Sequence, residues 1–469
     1  APGSSSTCRL ARGNPADFMA NLPSHVVLAL GVLGLLVTLW AAAVSLREGE
    51  RRAGPRMLAL GIPISLVYLA VGIFPHRASP AAATLLALTV IGLLILALPL
   101  GRQPPREDDT PRGRIDERDI MFSRRLLEPG SARFEDYYAT NPKKRTPDDA
   151  FRALPGLLAK GASQYQPYSF AAADASFNAV EALRALVEGE PAVNRLTCEA
   201  KSVTAFIEGW VRRMGAVSIG FTRLRDYHLY TTVGRGADYG QAVRLDHPYA
   251  IALTVEMDKE MVDRAPQGPI VMESARQYLS SGTMAVQVAQ FIRNLGYAAR
   301  AHIDGNYRVV CPLVARDAGL GEIGRMGLLM TPELGPRVRI AVVTTELPLV
   351  TDEPKRDPTV IDFCQRCSKC ADACPSGAIP LGDRAMIDGV RRWRIDSEAC
   401  YTLWCKLGTD CGRCMAVCPY SHPDNLLHNL VRRGVRHSPL LRRLAIRADD
   451  FFYGQRPPPA PLQEWLGSG

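Results

Sequence analysis

The chain has 469 residues, with 56 Lys and Arg against 47 Asp and Glu, giving a net charge of +9. A length of this order points to two or three domains. The basic excess is mostly arginine beside apolar stretches. No basic run is interleaved with base-stacking aromatics, which argues against a nucleic-acid partner. Nine of the twelve cysteines fall between Cys364 and Cys418. Such crowding speaks for metal ligation and against an evenly spread disulfide framework.

In chain order, Val26–Leu46, Met57–Phe74 and Ala81–Leu100 contain no charged residue. About 20 apolar residues cross a bilayer core as a helix, so three spans are expected over residues 1–101. Three runs in tandem, with no A-x-A site after the first, argue against a cleaved signal peptide. No twin-arginine export signal is expected either. Arg47, Arg51, Arg52 and Arg56 follow the first run, and Arg102, Arg106, Arg112 and Arg114 follow the third. The other side has only Arg9, Arg12 and Arg77. The positive-inside rule then predicts a multi-pass protein of the inner membrane with its long C-terminal part in the cytoplasm. His25 and His76 lie at the edges of the runs, which argues against a haem-bearing module. Residues 102–114, polar and Pro/Gly-rich, are expected to be a linker.

From 115 to 355, helical periodicity in "FNAVEALRALVEG" and "AVQVAQFIRNLGY" alternates with the β-rich runs "AVSIGFT", "YAIALTVEM" and "RIAVVTTELPL". The expected class is α/β (α+β). In "GLGEIGRMGLLMTPELGPRVR", Gly319, Gly321 and Gly324 are candidate cofactor-binding positions, because glycine permits positive φ and close backbone approach. The stretch fits neither the Walker nor the dinucleotide fingerprint.

Residues 356–425 carry the strongest signal. Cys364, Cys367, Cys370 and Cys374, followed by Pro375, have the C-x2-C-x2-C-x3-C-P spacing of bacterial ferredoxins. There a tight loop wraps three thiolates around one cube and the fourth ligates the other cluster. Cys411, Cys414 and Cys418-Pro419 supply a second half that lacks its opening ligand. Cys400 is the expected replacement, with Cys405 as its rival. The predicted sets are Cys364, Cys367, Cys370 and Cys418 for one cluster, and Cys400, Cys411, Cys414 and Cys374 for the other. Zinc knuckles would favour C-x2-C pairs with histidines. Cys198 and Cys311 are expected to be small buried hydrophobes, and Cys8 carries no signal. Residues 426–469 form a basic tail, amphipathic in "RRGVRHSPLLRRLAIR", that is suited to a membrane surface or to a solvated helical face. Clusters move electrons, so the middle domain is expected to hold the reacting group.

The segments "IDERDIMFSR", "PGSARFEDYY", "DASFNAVEALRALVEGEP", "MGAVSIGFT", "QFIRNLGYAA", "AGLGEIGRMGLLMTPELGPRVR" and "GTDCGRCMAVCPYSHP" resemble the catalytic subunit of corrinoid-dependent reductive dehalogenases over nearly all of Ile115–Asn425. Epoxyqueuosine reductases, which share the "AGLG-x-IG" element, are more distantly similar. The resemblance implies a cobalamin held base-off in a nitroreductase-like core, fed by two 4Fe-4S clusters in a ferredoxin-like domain. It implies an organohalide substrate, and a donor such as reduced ferredoxin, flavodoxin or a membrane quinol-linked protein. The family's proton-donating tyrosine matches Tyr278, and its cationic partner matches Arg337 or Arg339. Where the family often has asparagine after "LGY", this chain has Asp304. An acidic residue there is what epoxyqueuosine reductases use as proton donor. Asn306 is the alternative match if the loop is shifted.

The chain departs from exported family members in carrying its own three spans. The expectation is therefore a membrane-anchored, cytoplasmic-facing reductive dehalogenase. Two other functions compete with it: a cobalamin-dependent epoxide reductase, and a non-catalytic membrane electron-transfer protein.

Overall fold

The computed structural model describes residues 15–467 apart from 106 and 355, with side chains described from residue 22 onward except 75–79, 106, 355 and 467. Cys8, Arg9, Arg12 and Arg106 lie outside the described residues, as do the side chains of His76 and Arg77. The chain divides into two compact units: Ala1–Arg102 with His437–Gly454, and Gln103–Arg436 with Gln455–Gly469.

The first unit holds α1 (Pro15–Arg47), α2 (Ala53–Ile73) and α3 (Pro75–Ala97). Three segments are long and apolar enough to cross a membrane: Leu22–Arg47, Ala53–Ile73 and Pro80–Ala97. The last residues of the third uncharged run, 98–100, lie past the end of α3. α1 and α2 meet over small residues. A Cβ at Gly61 would stand 2.2 Å from Thr38 Oγ1, and one at Gly72 would stand 2.6 Å from Leu28 Cβ. Small side chains let helices approach this closely, and in lipid such packing replaces the missing hydrophobic drive. Leu33, Leu36, Ile64 and Leu88 are exposed on the outside, as lipid-facing residues are.

In the second unit the helices that shape the site are α4 (Pro167–Leu183), α5 (Ala200–Arg213), α6 (Gly268–Asn294) and α7 (Cys311–Asp317). The strands are β1 (Ser218–Arg223), β2 (Tyr249–Glu256), β3 (Ala299–His302), the short β4 (Glu322–Ile323) and β5 (Leu329–Met330), and β6 (Val338–Thr345). β1, β2, β6 and β3 form one sheet in the order β1-β2-β6-β3, each neighbouring pair antiparallel. The three β-rich runs read from sequence fall on β1, β2 and β6.

Strand alternation sends successive side chains to opposite faces. Ile251, Leu253, Ala341 and Val343 pack against Ile207, Met284, Val288 and Ile292 of α5 and α6. Ala250, Ala252 and Val342 face the other way, onto Val314 and Ala315 of α7 and Leu329 of β5. The sheet is thus buried on both faces. Truncating a central residue such as Leu253, which has no exposed surface, is expected to cost about 2–5 kcal/mol.

Candidate active site

α6 is 27 residues long, and Ser274 and Tyr278, one turn apart, share its face toward β6. Arg339, near the start of β6, reaches that face. Its guanidinium lies 5.0 Å from the centroid of the Tyr278 ring. Arg339 Nη2 donates to Ser274 Oγ at 2.6 Å and to Asp410 Oδ2 at 3.0 Å, and Ser274 Oγ donates to Asp410 as well. Asp410 belongs to the loop after the helix α8 (Ser397–Leu407). Three distant stretches of sequence thus meet at Tyr278.

Asp304 and Tyr307 come from the turn that follows β3, closed by a bridge between Ile303 and Asn306. Two buried side chains brace the turn. Arg300 donates to the Asn306 side chain and, at 3.3 Å, to its carbonyl, while His302 Nδ1 accepts from Arg308 N at 3.1 Å. His302 Nε2 lies 2.9 Å from Thr344 Oγ1. Asn306 is therefore committed to holding its own turn.

Burial pushes the Tyr278 hydroxyl up to about 12. Asp304 and Asp410 add to the rise, while Arg339 and Arg235 oppose it. Burial raises the Asp304 carboxyl also, against the pull of Arg235, Arg184 and Arg339. Tyr307 is raised well above its ordinary value by burial, then by Asp304 and Tyr278. For Arg339 burial acts downward, but Tyr278, Asp410, Tyr307 and Asp304 together hold its proton more tightly than usual. Yet Tyr278 and Asp304 keep part of their surface exposed. They line a recess and are not sealed in the core. Among the described residues, Arg339 Nε and Asp410 Oδ1 are buried there without a hydrogen-bond partner.

Arg337, the other matched arginine, takes a separate course. It donates to Ser421 O at 3.0 Å, to Glu256 at 2.6 Å and to Met257 O. Those contacts tie β2 to the cysteine region and do not engage Tyr278. The candidate glycines have local reasons for being glycine. Gly319 has φ 78° at the end of α7. A Cβ at Gly321 would stand 2.2 Å from Met330 O in the β4–β5 hairpin. One at Gly324 would meet Met330 Cγ at 2.7 Å and Cys364 Sγ at 3.5 Å, which sets this loop against the first cysteine.

In the cysteine region, Ser368 (φ 47°) turns the chain after Cys367, and Cys411 (φ 57°) does so at the start of the second half. These left-handed residues let consecutive cysteines face one centre. Burial raises Cys418 well above the usual thiol value, and the neighbouring Cys364, Cys367 and Cys370 push the same way. Cys414 is raised likewise by burial, then by Cys411, Cys370, Cys400 and Cys374. Cys400, raised to about 12, feels burial first and then Cys411 and Cys374. Cys405, on the same helix, packs with Met121, Phe151 and Tyr401 in an apolar cluster. All eight thiols of the two expected sets are free of disulfides. Among the described residues no three His, Cys, Asp or Glu side chains close around a single metal ion. A 4Fe-4S cube, with a separate iron for each thiolate, would hold those thiolates farther apart than one ion does.

Several residues of these sites escaped the sequence reading. Arg325 is fully buried, and donates to Cys364 O (3.0 Å), Gln365 O (3.1 Å), Pro380 O (2.7 Å), Leu381 O (3.0 Å) and Gly382 O (2.8 Å). It thereby joins both ends of the first cysteine run. Ser274 was detectable as the residue one helical turn before Tyr278, and Asp410 as the only acid in "GTDCG". Nothing local marks Arg235 or Tyr307.

Residues 363–422 match the 4Fe-4S dicluster domain family. A tetrachloroethene reductive dehalogenase of Desulfitobacterium hafniense is 36% identical over 213 residues, which is 43% of this chain and 38% of that protein. The chain spans about two fifths of the length of the curated relatives it matches. An epoxyqueuosine reductase of Listeria monocytogenes is 32% identical over 115 residues, 23% of this chain and 28% of that one. A solved reductive dehalogenase, described as suggesting a mechanism for B12-dependent dehalogenation, has a TM-score of 0.59 and 24% identity. That likeness covers 75% of this chain and 49% of the other. The likeness read from the motifs is borne out: this chain is a relative of the reductive dehalogenases, shares their fold, and carries a 4Fe-4S dicluster domain.

Proposed function

We propose that the chain is a membrane-anchored reductive dehalogenase that replaces halide by hydrogen in an organohalide. The likeness to proteins of that activity supports the reading. The observation that carries it is the Tyr278–Arg339 pair, a partly buried phenol under a cation. The residues suit the cofactors such chemistry needs. Eight cysteines in two sets, four of them buried and four partly so, are free of disulfides, and iron would hold them as thiolates. The recess offers unpaired polar atoms on Arg339 and Asp410. It also has a glycine-rich loop that abuts Cys364. Tyr278, Asp304 and the loop at Gly319, Gly321 and Gly324 would hold a corrinoid in the nitroreductase-like core. When bound, cobalamin supplies the two electrons that break the carbon–halogen bond.

The chain's own part is the proton. Carbon–halogen cleavage takes up two electrons and one proton, and releases the halide as an anion. Tyr278 stays protonated through neutral pH, so its hydroxyl can deliver that proton to the carbon. The positive charge of Arg339 then stabilises the phenolate left behind. Ser274 and Asp410 fix the guanidinium in place. Asp304, whose carboxyl is raised by burial, is the second candidate donor. Arg337 fastens β2 to the ferredoxin-like region. Cys364, Cys367, Cys370 and Cys418 would hold one cluster, and Cys374, Cys400, Cys411 and Cys414 the other.

The domains proposed are an anchor at 1–101, a linker at 102–114, a catalytic domain at 115–355, a ferredoxin-like domain at 356–425 and a basic tail at 426–469. The catalytic domain faces the cytoplasm, where a soluble ferredoxin or flavodoxin, or a quinol-linked membrane protein, reduces it. The test is full-length protein reconstituted with corrinoid and iron. It should hold about eight irons and one corrinoid, and should release halide from an organohalide panel. Bound corrinoid with reduction of an epoxide and no halide release would favour the epoxide reductase. Iron without corrinoid would favour an electron carrier.

A further inference from the structure

The basic segment near the C-terminus forms a helix, α9 (Pro439–Phe452), in the same compact unit as the three apolar helices. Its two ends are fastened at two places in that unit. His437 Nε2 lies 2.7 Å from Ala97 O, at the last residue of α3, and Ser438 Oγ donates to Leu100 O at 3.2 Å, just past it. At the far end Arg56, in the first turn of α2, donates to Phe451 O and stacks on the Phe451 ring at 5.1 Å.

These anchor points have a physical meaning. α2 has 21 residues, about 31 Å at 1.5 Å per residue, which matches a hydrocarbon core of about 30 Å. Its first turn therefore stands at one boundary of the core. A helix tied there at Arg56 and to the last residues of α3 lies across the ends of the spans, at headgroup depth. Pro439, Arg442 and Asp449 are buried on its inner side. Arg443, Leu444, Arg447, Ala448 and Phe451 are exposed, and their spacing of three and four places them on one stripe. Leu444 is 45% and Phe451 47% exposed.

We propose that this stripe docks on the anionic headgroup layer of the same membrane. Arg443 and Arg447 meet lipid phosphates, while Leu444, Ala448 and Phe451 enter the acyl boundary, as in an interfacial amphipathic helix. The inference rests on the membrane reading of α1–α3, and its test separates the two.

Full-length Leu444→Trp protein is placed in nanodiscs carrying brominated acyl chains, made of phosphatidylcholine alone or mixed with phosphatidylglycerol. Trp40, in α1, is the internal control, resolved by comparison with the parent protein. In the anionic discs the introduced indole should be quenched by bromine and shielded from aqueous acrylamide. Arg443→Gln with Arg447→Gln should weaken that quenching, since each arginine near an anionic surface gives roughly a fivefold preference for it. Ala448→Trp should behave alike, which guards against a local distortion at one site. Quenching of Trp40 with the introduced indole open to acrylamide would overturn the docking and leave the spans intact. Equal quenching in both lipid mixtures would overturn the role of anionic lipid. No quenching of either indole would overturn the membrane reading itself.

Discussion

Two buried polar regions lie on opposite faces of the same sheet, and they treat acid groups in opposite ways. In the Tyr278 recess burial dominates: Tyr278, Asp304 and Asp410 all hold their protons more tightly than usual. Behind the sheet, Asp317 at the end of α7 is held well below the ordinary carboxylate value. Burial opposes its charge, but His228 Nε2 at 2.9 Å, the Arg316 guanidinium and the Tyr227 hydroxyl at 2.6 Å outweigh it. Both Asp317 oxygens are engaged. In the recess Asp410 Oδ1 and Arg339 Nε are not. A carboxylate engaged at both oxygens stabilises the fold, even though Arg316 Nη2 beside it has no hydrogen-bond partner. An unsaturated one beside an accessible phenol is poised for a ligand and a proton.

Substitutions can break this contrast, and the largest stability effect belongs behind the sheet. Asp317→Asn removes a buried charge that Arg316, His228 and Tyr227 hydrogen-bond and should cost about 3–5 kcal/mol in urea unfolding, with turnover per folded molecule preserved. The sign of its pH dependence follows from the depressed value. Asp317 stabilises above the unfolded carboxylate value of about 3.9, and that stability is lost as pH falls from there toward its depressed folded value. The urea midpoint should hold above roughly pH 5 and drop below roughly pH 4, and Asp317→Asn should flatten the drop.

Arg339→Met should destabilise less, by about 1–3 kcal/mol, because burial already favours a neutral Asp410. Its main effect is expected on turnover, since the phenolate of Tyr278 loses its cation. A stability loss as large as that of Asp317→Asn would show that the recess is a structural network after all.

The smallest changes separate the two cysteines of α8. Cys400→Ser should halve the iron bound on reconstitution with little effect on the apoprotein. Cys405→Ser should leave iron unchanged and cost about 1–3 kcal/mol, for a polar hydroxyl placed in an apolar cluster. Iron loss in Cys405→Ser instead would exchange their roles.

The cysteine sets were legible in the sequence because their geometry is written in local spacing: a loop of two residues fixes where the next thiol lies. The β-rich runs and the apolar spans were legible for the same reason, through periods of two and runs of about twenty. The recess was legible only in part. Tyr278 and Asp304 came from likeness to relatives, and spacing could not separate Arg337 from Arg339. Two residues apart, one just before β6 and one within it, they diverge because Arg337 meets Glu256 and Ser421 while Arg339 meets Ser274 and Asp410. Such partners are set by tertiary packing. Arg325 escaped notice because its five carbonyl acceptors lie 39 to 57 residues away along the chain.

The central claim is that Tyr278 delivers the proton, and paired turnover measurements test it most directly. Tyr278→Phe and Asp304→Asn are compared with the parent chain, each reconstituted with corrinoid and iron and scored for halide release alongside cofactor content. General acid–base groups contribute about a hundredfold to ten-thousandfold. The expected result is a loss of that size in Tyr278→Phe, a much smaller one in Asp304→Asn, and unchanged iron and corrinoid in both. The reverse ordering, with cofactors intact, would contradict the assignment and move the proton to Asp304.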